Sequence, residues 1–372
     1  FGKAGRYYAV CGMYSKALKL YIACGEKELN QAIDIVGKAR SDVLTHTLID
    51  FLMGEPDGVP KDPHYIYRLY VALGNFPQAA KTAVVIARQE QELGNYKQAH
   101  AVLYETYLQL KANAGVHVPQ SLRKAFLLLH SFQLVKKMVQ RNDHDSAARL
   151  LLRVANNISK FPSHAADVLT STVVECQRAG LTKSAYEFAA VLMRPEYRGE
   201  IKPAFKRQIE GMIRRRPKSE DNDDASADKG DPPEPLSRCP VSGLMIPRTQ
   251  LECPTTQEEL PMCVVTGRHM ERDDWCECPN SKMPALFSEY KAYIAAELQL
   301  KTKALTASED TKQEEHGTSA FVVLDPVCSQ PITADMLRRS TPEEIDVFFN
   351  TPSSEDASGN EGAANGRRDS AE

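Results

Sequence analysis

The sequence predicts a mainly α-helical protein: an irregular helical solenoid followed by a small cysteine module with short strands. Three observations predict it. From Phe1 to about Arg216 apolar residues recur at spacings of three and four in a chain rich in Ala, Leu, Lys and Gln, with almost no strand signal. Within that stretch a short phrase repeats. Beyond it, Cys239, Cys253, Cys263, Cys276, Cys278 and Cys328 crowd into one stretch, whereas Cys11, Cys24 and Cys176 are scattered among apolar residues and read as small buried hydrophobes in a reducing compartment.

The repeated phrase is a Gly or Asn, then an aromatic or polar residue two positions on and Ala five positions on. It stands at Gly12-Met13-Tyr14-Ser15-Lys16-Ala17, Gly74-Asn75-Phe76-Pro77-Gln78-Ala79 and Gly94-Asn95-Tyr96-Lys97-Gln98-Ala99, and more loosely at Asn142–Ala147 and Gly180–Ala185. Its physical sense is a helix-turn-helix unit. The first residue closes one helix in the left-handed conformation, the aromatic fills the groove, and Ala lets the next helix approach. Tetratricopeptide-like solenoids are built this way, but steps of 62, 20, 48 and 38 residues between copies depart from their regular period of roughly 34. The segments Gly54–Pro60 and Gly115–Pro119 interrupt the helical pattern and predict loops.

Nothing in the helical half points to chemistry. Its histidines at 46, 64, 100, 117, 130, 144 and 164 are dispersed and read as solvated or satisfied within the core. Tyr65, Tyr67, Tyr70, Tyr104 and Tyr107 read as helix-packing aromatics. Gly2-Lys3-Ala4-Gly5 lacks the Lys-Ser/Thr ending of a phosphate-binding loop. No catalytic residue is assigned. A mean hydropathy of −0.40, with apolar runs no longer than those around Ala125–Leu129, leaves no transmembrane segment.

The net charge of −3 hides an asymmetry: residues 1–218 carry +13 and residues 219–372 carry −16. The positive charge is dispersed, and its one tight run, Arg214-Arg215-Arg216, sits where a helix would end, so no nucleic-acid partner is expected. Residues 217–236 are an acidic Pro- and Ser-containing run expected to form a disordered linker, residues 237–349 form the module with a polar loop near 302–318, and residues 350–372 read as a disordered tail. Because Phe1 is not a start methionine, the chain is expected to be a piece of a longer protein.

Cys-Pro recurs at Cys239-Pro240, Cys253-Pro254 and Cys278-Pro279, and Asp325-Pro326-Val327-Cys328 is a fourth such turn with its first cysteine changed. These are knuckle turns, in which a complete C-P-x-C would present two thiolates to one zinc ion. The middle of the module reads Cys263, Thr266-Gly267-Arg268-His269-Met270, Asp273-Asp274-Trp275 and Cys278-Pro279. These phrases closely resemble the treble-clef-like or RING-like zinc-knuckle module that ends the large propeller-solenoid subunit of intraflagellar transport complex A. Met193–Arg198 and Ile209–Arg215 resemble that family's last solenoid helices.

The resemblance implies a C-terminal fragment of a WD-repeat and TPR-repeat protein without its propellers, and a non-enzymatic scaffold bound to other complex A subunits. It further implies retrograde transport with dynein-2, indirect contact with complex B, ciliary membrane-protein cargo or adaptors, cilium assembly, and a place in the cilium or flagellum and its basal body. It also implies zinc. Ser242, Thr256, Ser281 and Asp325 stand where the family's partner cysteines are expected, so one Zn2+ held by Cys263, His269, Cys278 and Cys328 is the favoured set, with Cys239 and Cys253 less favoured. A RING-like ubiquitin ligase component and a coatomer-type vesicle-coat subunit are the alternatives. The missing knuckle cysteines speak against the first, and the Thr266–Met270 and Asp273–Trp275 phrases against the second.

Overall fold

The structure, a computed structural model, describes residues 1–56, 58–113, 118–214, 231–308 and 322–349, with side chains left out for 303–308. Most of the expected linker, the later part of the expected polar loop and the expected tail lie outside the described residues. No helix among the described residues is long and apolar enough to cross a membrane.

The chain divides into two compact units within one helix, at Phe126–Leu127. The first unit contains α1 (Gly2–Val10), α2 (Tyr14–Ala23), α3 (Leu29–Ala39), α4 (Asp42–Met53), α5 (Pro63–Leu73), α6 (Phe76–Glu92) and α7 (Tyr96–Ala112), and the division falls inside α8 (Gln120–Gln140). Successive helices pack in pairs across short turns. The repeated phrase is the reason. Gly12, Gly74 and Gly94 take φ of 76°, 74° and 81°, and Ala17, Ala79 and Ala99 are buried. A left-handed glycine ends one helix and a β-carbon-sized contact admits the next. At Gly74-Asn75 two adjacent residues do both jobs, since Asn75 then caps α6 through the Gln78 amide (3.4 Å). Gly54, at φ 82°, ends α4 where the first break is expected. Tyr67 bonds Gln109 and Thr106 between α5 and α7, and Tyr107 stacks on Phe126, as helix-packing aromatics should. His100 is buried and stacked on Phe126.

Two cysteines differ from expectation. Cys11 is exposed and Cys24 half-buried, because each follows the last turn of its helix instead of lying on the inward face. Cys176 is buried, and burial pushes its thiol up to about 12.

The second unit begins with the rest of α8, followed by α9 (His144–Ala155), α10 (Ala165–Arg178), α11 (Thr182–Leu192), the short α12 (Pro195–Arg198) and α13 (Pro203–Arg214). The phrase works again here, with Asn142 and Gly180 at φ 59° and 78° and Ala147 and Ala185 buried. Hairpins β1–β2 (Leu236–Arg238, Met245–Pro247), β3–β4 (Trp275–Glu277, Pro284–Leu286) and β5–β6 (Val323–Leu324, Pro331–Ile332) are all antiparallel. Between the last two lies α14 (Phe287–Ser308), and α15 (Pro342–Phe349) follows. Because α14 runs on through Ser308, residues 302–308 of the expected polar loop are helical.

Order also begins before residue 236. The Asp231 carboxylate accepts from the amides of Lys183 (2.8 Å) and Ser184 (3.0 Å) and from the Ser184 hydroxyl. The residue at the cap position of α11, Leu181, has no side-chain oxygen to do this, so an acid from far along the chain caps the helix. Asp231→Ala should lower stability by about 1 kcal/mol, read as a small fall in the melting midpoint.

Candidate functional site: the knuckle module and its seat on the helices

Five turns in the module share one backbone design. The amide of the first residue donates to the carbonyl five positions on, and the amide four positions on donates back, at 2.8–3.0 Å. They start at Cys239, Cys253, Cys263, Cys278 and Asp325. The returning residue is left-handed in every case: Gly243, Gln257, Gly267, Lys282 and Ser329, at φ 73°, 56°, 73°, 55° and 56°. Three of these are the expected Cys-Pro turns and one is the Asp325 turn. Sequence reasoning missed the turn at Cys263, which has no proline; its Gly267, four residues from the turn's start, was the available signal.

The turn at Cys263 seats the module. His130 on α8 lies within 2.7 Å of the Val264 carbonyl, and burial drives its pKa down to about 4, so the neutral ring donates through Nε2–H. Arg153 on α9 reaches the carbonyls of Thr249 (2.7 Å) and Gly267 (2.9 Å) with one nitrogen and Ser131 (2.9 Å) with the other. Desolvation lowers the Arg153 pKa to about 10, opposed by the nearby Glu234, so the guanidinium stays charged. Glu234 also accepts from the Thr249 amide (2.6 Å) and hydroxyl (2.9 Å) and pairs with Arg149 at 3.6 Å.

Gly267 and Arg268 of the Thr266–Met270 phrase also meet α9. A β-carbon on Gly267 would stand 2.4 Å from Leu150 Cδ2, so the turn lies directly on α9. Arg268 bonds Ser146 (3.3 Å) and Glu289 (3.2 Å), and His269 meets the Ser237 hydroxyl at 2.8 Å. Gly267→Ala adds that contact to the cost of a left-handed non-glycine, and about 2 kcal/mol of destabilisation is expected in chemical denaturation. Behind this turn, Lys137 and Arg141 on α8 meet Tyr293 on α14, with the Arg141 guanidinium 4.4 Å from the ring centre and its other contact at Glu297 (3.5 Å). In the Asp273–Trp275 phrase, Asp274 accepts from the Ser288 amide at the start of α14 (3.1 Å) and from Arg339 (3.2 Å), while Trp275 packs edge-on against Phe348 and Phe349.

The structure does not bring the four expected zinc ligands together. Among the described residues no three His, Cys, Asp or Glu side chains form a group that could hold a metal ion. Cys263 accepts from the Leu286 amide (3.3 Å) and burial pushes its thiol up. His269 is turned toward Ser237, with Nδ1 buried and without a hydrogen bond, and burial lowers its pKa. Cys278 lies against Asp325 (2.8 Å) and Tyr290 (3.3 Å). Burial, then the Asp325 charge, holds its thiol protonated. Cys328 contributes its amide to Asp325 (2.9 Å) and is only partly buried.

The less favoured pair, Cys239 and Cys253, shares a small cluster with Ile246 and Leu260. Hydrogen bonds from Thr256 hold Cys253 down to about 6. Ser242 and Thr256 fill the remaining positions of that pair of turns, and hydroxyls are poor zinc ligands. The donors present therefore do not fit the zinc site that the resemblance implies.

No protein-family model matches the chain. It is 46% identical over 299 residues to WD repeat-containing protein 19 of Mus musculus and equally to that of Homo sapiens, across 79% of this chain and 21% of each relative. It is 36% identical over 288 residues to WD repeat-containing protein dyf-2 of Caenorhabditis elegans, across 77% of this chain and 20% of the relative. The chain thus spans about a fifth of the length of the curated relatives it matches. These identities, over a stretch that includes helices and knuckle turns alike, show that the chain belongs to the family of WD repeat-containing protein 19 and dyf-2, subunits of intraflagellar transport complex A.

Proposed function

We propose that this chain is part of a non-enzymatic scaffold subunit of complex A that supports retrograde transport, from the tip of the cilium to its base, and the entry of ciliary membrane proteins. It acts through protein–protein contacts: directly with other complex A subunits, indirectly with dynein-2 and complex B, and with membrane-protein cargo or its adaptors. The place of action on this reading is the cilium or flagellum and its basal body. The observation that carries the proposal is the 46% identity to WD repeat-containing protein 19 over 299 residues. The physical character of the chain supports it. Helix pairs present long side-chain surfaces to neighbours, and the buried polar groups His130 on Val264, Arg153 on two carbonyls and Cys278 on Asp325 hold the fold.

The test is mass spectrometry of what co-purifies with the tagged full-length protein from ciliated or flagellated cells at low and high salt. The proposal expects a stoichiometric set of large propeller-solenoid proteins that survives high salt. Recovery of ubiquitin-conjugating enzymes or Golgi coat subunits, with no ciliary partner, would overturn it.

A further inference from the structure

The turns at Cys278 and Asp325 face each other and occupy the positions at which two complete knuckles would close on zinc. Their first and fourth residues are Cys278 with Ser281 and Asp325 with Cys328. At the centre lies the Asp325 carboxylate, 1% exposed. Its Oδ2 accepts from the Cys278 thiol (2.8 Å), the Ser281 hydroxyl (3.2 Å) and the Tyr290 hydroxyl. Its Oδ1 accepts from the amides of Val327 (2.8 Å) and Cys328 (2.9 Å).

In a zinc knuckle, turn amides of this kind point at a metal-bound sulfur. Here they point at Oδ1, so the carboxylate takes the sulfur's place in its own turn. Oδ2 then gathers the opposite knuckle by its thiol and hydroxyl, which is the task a metal performs. Five donors leave the carboxylate no lone pair for a cation. Tyr290, fully buried on α14, adds a donor from outside both turns, so the helix is tied to the same centre.

We propose that the knuckle pair of Cys278–Ser281 and Asp325–Cys328 folds without metal, with the Asp325 carboxylate as the hydrogen-bonded centre that zinc forms in an all-thiolate pair. The inference does not depend on the transport role, because it concerns how the module is held. It also gives Asp325 a purpose that a missing cysteine lacks: burying a carboxylate is costly unless every lone pair is met, and here each is.

The experiment measures zinc per chain by elemental mass spectrometry on the purified full-length protein, its Cys278→Ser variant and the double variant Ser281→Cys with Asp325→Cys. The proposal expects the unvaried protein and Cys278→Ser to carry the same zinc within error. It expects the double variant, whose pair would hold four thiols, to carry about one more zinc per chain. Asp325→Asn, which keeps the size but loses acceptor strength, should lower the melting midpoint by several degrees, and chelator should leave the unvaried protein's midpoint unmoved. About one zinc per chain that Cys278→Ser abolishes would overturn the proposal. So would a folded double variant that gains none, since the two turns would then not frame a metal-sized centre.

Discussion

Arg153→Ala is expected to destabilise the second unit by about 3 kcal/mol, seen as a melting midpoint lower by roughly 6–12 °C. The substitution removes hydrogen bonds to the Thr249 and Gly267 carbonyls and to Ser131, and it strands those carbonyls at a packed surface. A charged donor to a buried carbonyl is worth more than a neutral one, and the orphaned acceptor bears the desolvation cost. Arg153→Lys keeps the charge but cannot serve two carbonyls and a hydroxyl from one planar fork, so it should recover less than half of the loss. Limited proteolysis provides the check: cleavage between 231 and 349 should accelerate in the Ala variant while α1–α7 stay protected.

Stability should also fall on acidification, and His130 should account for much of the slope. Its pKa moves from 6.5 to about 4 on folding because burial disfavours the imidazolium. Between those values the unfolded chain binds a proton that the folded chain does not, so unfolding is favoured as pH falls. The stability is complete above about pH 7, declines through 6.5 and is fully lost near 4, with a total of about 3 kcal/mol and about 2 kcal/mol already gone at pH 5. His269, whose pKa burial also lowers, adds in the same direction. Denaturant titrations of the unvaried protein and His130→Gln at pH 7.5 and 5.0 isolate the effect. Gln can still donate to Val264 but does not titrate, so the difference between the two proteins should shrink by about 2 kcal/mol at the lower pH.

Local features were the legible ones. The Gly/Asn and Ala positions of the repeated phrase predicted left-handed turns and close helix contacts, and all five copies have both, because each depends on residues within six positions of one another. The Cys-Pro turns were legible for the same reason. What the sequence did not disclose was how the module is seated. Arg153 contacts Thr249 and Gly267, His130 contacts Val264, and Asp231 caps a helix that begins near Thr182. No periodicity or spacing signals such long-range pairs. An Arg after Leu150-Leu151-Leu152 and a His after Leu127-Leu128-Leu129 read equally well as surface and core residues.

The surroundings of the four residues in the implied zinc set were illegible for a related reason. By spacing alone the Cys and His residues form one pool, whereas Cys263 meets the Leu286 amide, His269 the Ser237 hydroxyl, and Cys278 and Cys328 the Asp325 carboxylate. Ser242, Thr256 and Ser281 each stand fourth in a turn of the shared backbone design.

The central structural claim is that the knuckle module, α8 from Leu127 onward and α9–α11 are one cooperative body. Native-state hydrogen exchange of the full-length protein under increasing denaturant tests it most directly. The account predicts that the amides of Cys263 and Gly267 in the seating turn open with the same free energy and denaturant dependence as those in the middle of α9 and α10, and that Arg153→Ala separates the two groups. Knuckle amides that open at much lower free energy than α9 in the unvaried protein would contradict it.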